Sequence, residues 1–153
     1  MTGSIMVRAI ERADLPAWLR LWEGYNIFYG RSGPTALASE ITQTTWLRFF
    51  DHYEPVHALV AEQAGELLGL VHFLYHRSTI HLTPVCYLED LFTVQSARGR
   101  GVARALIEAV YDRARAAGVR SVYWQTHESN TVAMRLYDKI ATRFGFIVYD
   151  KVL

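Results

Sequence analysis

The sequence has little with which to cross-link itself, span a bilayer or hold a polyanion. One cysteine, Cys86, stands among 153 residues, so no internal disulfide can form, which suits a reducing compartment. It lies in the apolar stretch "TPVCYLEDL", where a buried structural thiol is expected. The longest apolar run, "LLGLVHFLYH", is too short for a membrane span and carries histidines. The opening "MTGSIMVRAI" lacks the basic start and long apolar run of a signal peptide, so a soluble, cytoplasmic protein away from membranes is expected. Charge of one sign is also scarce. Sixteen Lys and Arg against 15 Asp and Glu leave +1 at neutral pH, too balanced for overall charge to hold nucleic acid. There is no repeat, linker or low-complexity segment. What is present is a chain of one-domain length, 51% apolar, which is enough for a sizeable core and for a single domain over 1–153.

The pattern along the chain predicts a mixed α/β layer structure. "IMVRAIERADLPAW" predicts a short strand, then a helix capped near Asp14 with Pro16 in its first turn. Trp18, Leu21 and Trp22 form an apolar stripe on that helix. "GYNIFYGRSGP" (24–34) has a loop's composition with unusual aromatic content, and a second helix is expected over about 37–50. "HALVAE" and "LLGLVHFLYHR" flank the turn "QAGE" and predict an antiparallel hairpin, followed by a third strand, "VCYLEDLFTV". Later come a helix after Gly101, a strand over 119–126, a helix from about Asn130 to Arg143, and a final strand in "FIVYDKVL". The order β-α-α-β-β-β-α-β-α-β implies a mixed sheet with helices on both faces.

The stretch "SARGRGVARALIEAVYDRARAAG" (96–118) sets two glycines among three arginines at the mouth of an amphipathic helix. A dinucleotide fingerprint fails, because Arg104 takes the third glycine position and the next strand ends in "YWQT" without an acid. A nucleic-acid patch is disfavoured, because Glu108 and Asp112 beside Arg113 and Arg115 make a mixed, solvated face. A phosphate cradle fits better. Free N–H groups in the first helical turn, bare backbone at Gly99 and Gly101, small Ala103, and Arg98, Arg100 and Arg104 at the rim suit a diphosphate. A plain turn with charged edges is the alternative. Val102, Leu106, Val110 and Ala114 or Ala117 share the helix's packing face, and Gly118 ends it.

The pattern Arg98-x-x-Gly101-x-Ala103, with Asn130, Ala133, Leu136, Tyr137 and then Gly145-Phe146, resembles the GCN5-related N-acetyltransferases over nearly the whole chain. "YLEDL" and "YWQT" look closest to the branch of the yeast histone and polyamine acetyltransferases and spermidine/spermine N-acetyltransferase. Thr93 departs from the usual aliphatic residue in its strand. The resemblance implies a single-domain, mostly antiparallel mixed sheet with splayed central strands, acetyl-CoA as co-substrate, no metal, and a homodimer. It implies cofactor contacts from Leu91, Phe92, Thr93, Arg98, Gly99, Arg100, Gly101, Val102, Ala103, Arg104 and Asn130. Asn130 read by position alone is a helix cap. Tyr137, by spacing a core aromatic, resembles the general acid that protonates the leaving thiolate. Glu89, in the "ED" pair bordering the acceptor site, resembles a general base acting through water on an amine whose free pKa is about 10.4. Adjacent strand positions place Glu89 and Asp90 on opposite faces; both serving as edge charges against aggregation is the alternative.

Acceptor recognition is expected from the first helix and its loop, where Glu23, Tyr25 and Tyr29 offer a carboxylate and two rings to a cation, with Asp90 nearby. A polyamine, diamine, amino acid or peptide lysine would all fit. His72 and His76, four apart on a strand, lie about 13 Å apart at roughly 3.3 Å per residue, too far to share a zinc. His127 is a candidate cleft-lining residue. No Gly-x-Ser-x-Gly occurs, so a serine hydrolase is disfavoured. The expected activity is direct acetyl transfer to a primary amine; the alternative is an inactive module of the same fold that binds CoA or a nucleotide.

Overall fold

Alternating apolar residues make the sheet, and its two faces make the layers. The computed structural model describes residues 3–153; Met1 and Thr2 of the predicted domain lie outside them. Strand β1 (Met6–Ala9) is followed by helices α1 (Leu15–Phe28) and α2 (Ser39–Arg48). Strands β2 (Val56–Gln63), β3 (Glu66–His76) and β4 (Val85–Thr93) come next. Helix α3 (Val102–Ala116), strand β5 (Val122–Tyr123) and helix α4 (Thr131–Ile140) complete the order. The sheet runs β1-β2-β3-β4-β5, antiparallel except for the parallel pair β4–β5.

The predicted hairpin forms as β2–β3. Its two-residue turn, Ala64 and Gly65, has φ of 51° and 82°, the backbone twist that closes a tight hairpin. On β3, Val71 and Phe73 bury toward α3, while Leu70 and His72 face α1 and its aromatic residues. Helix α3 packs Val102, Leu106, Ile107, Val110 and Ala114 on the first face. It lies close because Gly69 is bare: a Cβ there would meet the Phe92 carbonyl oxygen at 2.7 Å and Val102 at 3.0 Å. Trp18, Leu21, Trp22, Tyr25 and Trp46 of α1 and α2 cover the other face.

Three expectations need correction. The aromatic segment 24–34 is not all loop, since α1 continues through Phe28; stacking of Tyr25 on Trp22, with ring centroids 5.3 Å apart, outweighs the cost of Gly24 in a helix. The strand over 119–126 shrinks to Val122–Tyr123, because Trp124 turns away to pack edge-on against Tyr137 at 5.4 Å. "FIVYDKVL" is not a strand. After Ile140 the chain leaves the helix, and Phe146 to Tyr149 are exposed and unpaired among the described residues. An apolar pattern makes a strand only against a partner edge, and no described strand lies beyond β5.

Candidate active site

The site begins where two strands part. β5 pairs with β4 only at Cys86 and Tyr87, so from Leu88 onward this edge of β4 has no strand partner among the described residues. Leu91, Phe92 and Thr93 line that open edge. Thr93 Oγ1 is buried without a hydrogen-bond partner among the described residues, and a buried hydroxyl left so is a costly group that a ligand would satisfy.

Below the parting, a short 3-10 turn leads into α3. Gly99 and Gly101 have φ of 75° and 83°, and Gly101 takes the N-cap position with no side chain capping the helix. The first-turn amides of a 15-residue helix are therefore free of a side-chain cap. A Cβ at either glycine would meet nothing within 4 Å, so the space over the bare backbone is open. The rim arginines are tied lightly. Arg98 Nε lies 3.4 Å from the Thr93 carbonyl, Arg100 bonds Gln63, and Arg104 pairs with Glu108 at 2.9 Å in solvent. An uncapped helix start, open glycines, three arginines and an orphan hydroxyl fit the diphosphate and amide-bearing arm of coenzyme A.

Across the parting, α4 presents Tyr137. Its phenol is pushed up to about 12 by burial, with a smaller contribution from Tyr29, and its hydroxyl has no protein partner among the described residues. Asn130 holds the N-cap position of α4 without capping it; its Nδ2 donates to Thr126 Oγ1 at 3.3 Å. His127 bonds Ser129 at 2.6 Å and is exposed.

A bulge reshapes β4. His72 pairs with Asp90 and Phe73 with Leu88, leaving Glu89 as the extra residue. Leu88 belongs to the α3 core and Phe92, four residues on, to the α1 core, so the alternation changes phase between them. The expectation of opposite faces for Glu89 and Asp90 is thereby corrected: the inserted residue lets both open toward the α1 side. Burial raises the Glu89 carboxyl above the ordinary range, and the charge of Asp90 raises it further.

Asp90 is anchored from below. Trp18 Nε1 donates to His72 Nε2 at 3.0 Å, and His72 Nδ1 lies 2.9 Å from Asp90 Oδ2. An indole N–H only donates, so Nε2 must be bare and Nδ1 carries the proton given to Asp90. His72 is 2% exposed, which makes this a buried relay from α1 through β3 to β4. Asp90 also faces the Tyr25 hydroxyl, which is raised first by burial and then by that charge; Tyr29 is raised by the same two causes.

Tyr25, Tyr29, Glu89, Asp90 and Tyr137 are therefore near neighbours: the charge of Asp90 reaches Tyr25, Tyr29 and Glu89, and Tyr29 acts on Tyr137. Glu23 does not join them. It is exposed, about 200° around α1 from Tyr25 at 3.6 residues per turn. Sequence reasoning missed Trp18 and His72 as a pair; His72 drew notice only in a search for metal ligands.

The profile of the acetyltransferase (GNAT) family matches residues 18–141. The chain is 36% identical over 149 residues to the D-amino-acid N-acetyltransferase HPA3 of Saccharomyces cerevisiae, covering 96% of this chain and 90% of that protein. It is 27% identical over 133 residues to the uncharacterized N-acetyltransferase YhfO of Bacillus subtilis, covering 87% and 86%. Among solved structures it superposes on AAC(6')-Iy, in complex with the bisubstrate analog CoA-S-monomethyl-acetylneamine, with a TM-score of 0.81 at 18% identity over 99% of each chain. That last likeness is one of fold.

Proposed function

The chain belongs to the acetyltransferase (GNAT) family, and on that premise we propose that it transfers the acetyl group of acetyl-CoA to the primary amine of a small molecule. The observation that carries the proposal is the parting of β4 and β5 above the uncapped, glycine-opened start of α3.

Bound acetyl-CoA supplies the activated acyl thioester. The amides of 99–104, with Arg98, Arg100 and Arg104, would hold its diphosphate; the open edge at Leu91, Phe92 and Thr93 and the Asn130 side chain would hold its arm. Glu89 takes the proton from the acceptor ammonium, directly or through water. Its raised pKa makes it a stronger base than an ordinary carboxylate once ionised. Asp90, fixed by His72, keeps a second negative charge beside the incoming amine. Tyr137 gives its proton to the departing sulfur, and with a pKa near 12 it stays protonated through the neutral range.

Calorimetry with acetyl-CoA and thiol release over a panel of amines test this reading. Gly101→Glu should remove acetyl-CoA uptake, because a side chain strained at positive φ would put charge on the phosphate seat. Tyr137→Phe should keep uptake and slow thiol release by about tenfold or more. Uptake unchanged in Gly101→Glu would sink the cradle, and binding without turnover of any amine would leave a regulatory module.

A further inference from the structure

The residue that follows the α1 turn is placed by the helix end itself. Gly30 N donates to the Ile27 carbonyl at 3.0 Å and Arg31 N to the Asn26 carbonyl at 2.8 Å, with Gly30 at φ 75°. These paired bonds close the helix and reverse the chain. The reversal lays Arg31 over the rings of Tyr25 and Tyr29, its guanidinium carbon 5.6 and 5.5 Å from their centroids. Arg31 Nε donates to Asn26 Oδ1 at 2.7 Å. Asn26 is only 6% exposed and is itself locked, its Nδ2 donating to the Trp22 carbonyl at 2.8 Å. Among the described residues no carboxylate pairs with Arg31. One edge of the guanidinium is thus fixed by a buried amide, and its two terminal nitrogens are left free.

The same two rings carry opposite influences. Their centroids lie 4.8 Å apart, Arg31 covers both, and the charge of Asp90 raises both phenols while Arg31 lowers them, so a carboxylate and a guanidinium share one pair of rings. Taking the N-acetyltransferase reading as its basis, we infer that Arg31 binds the carboxylate of an amino-acid acceptor whose amine lies toward Asp90 and Glu89. A fork of parallel N–H donors matches a carboxylate's two oxygens. The tyrosine rings would carry the body of the acceptor. A diamine or polyamine is disfavoured, because its second ammonium would face Arg31. Coenzyme phosphates are served elsewhere, by the arginines at the start of α3.

Steady-state thiol release with D- and L-phenylalanine, phenylalaninamide and 2-phenylethylamine tests the inference. The wild-type protein should prefer at least one free acid over the amide and the amine. Arg31→Gln should lower that acid-over-amide preference by about tenfold, through KM for the acid, as loss of a charge-assisted pair predicts. Arg31→Lys, which keeps charge without the fork, should lower it by less. Equal losses on acid and amide would make Arg31 a mere cover for the rings and overturn the inference. So would a wild-type preference for the amide. Wild-type turnover of amines without preference for the acid overturns this inference alone; no turnover of any amine overturns the acetyltransferase reading with it.

Discussion

On the α3 face of the sheet the buried side chains are Leu59, Val71, Leu106, Ile107 and Val110. On the α1 face they are Trp18, Trp22, Tyr25 and Trp46, with Trp18 and Trp22 against His72. The first face is mainly aliphatic, with Phe73 and Cys86 among its buried residues, and none of those buried side chains hydrogen-bonds among the described residues. Its stability comes from area removed from water and from close packing. The second buries a hydrogen-bonded relay, which costs stability wherever a partner is missing. The first face fixes the position of α3 and so of the proposed phosphate cradle. The aromatic face aims carboxylates. The start of α3 and the anchored carboxylate of Asp90 thus depend on opposite sides of one sheet, and each should be separable from the other.

The sharpest test of that separation is Leu106→Ala on the aliphatic face. Leu106 is fully buried, and a cavity there should cost about 2–5 kcal/mol in urea unfolding. The pH profile of turnover should keep its shape; a moved acid limb would mean that the faces are coupled. A smaller effect is expected from His72→Leu. It leaves the Trp18 N–H and Asp90 each without a buried partner, at a cost of about 1–3 kcal/mol, and it should also lower kcat/KM. Stability lost with turnover intact would reduce the relay to a packing device. The smallest effect belongs to Asp90→Asn. Burial and the Asp90 charge both raise Glu89, and a base is lost as pH falls through its raised pKa. Removing one raising charge should therefore move the acid limb of kcat/KM to lower pH. A limb that stays or climbs would show that Glu89 is not the titrating base.

Much of this was legible in residues alone. Val102, Leu106, Val110 and Ala114 announced the packing face of α3, and Gly118 its end, because helix periodicity is local. The hairpin turn and the order of elements through α4 were equally plain. Other features depended on partners far away in sequence. The length of β5 is set by how long β4 stays beside it, and no property of "VYWQT" records that. The apolar "FIVYDKVL" has the composition of a strand and no described edge to pair with.

The site divides in the same way. The bare backbone at Gly99 and Gly101 was fixed by sequence, since only glycine holds those positive φ values without strain. Tyr137 was visible only through likeness to a family, its spacing alone marking a core aromatic. The bulge at Glu89, which turns two adjacent carboxylates toward one side, arises from the pairing of β3 with β4. The relay from Trp18 to His72 to Asp90 joins residues 54 and 18 positions apart, and Arg31 lies over Tyr25 and Tyr29 because a helix end folds back over its own rings. Local periods and backbone needs are written along the chain. Which polar groups meet across a sheet is decided only when the strands find their register.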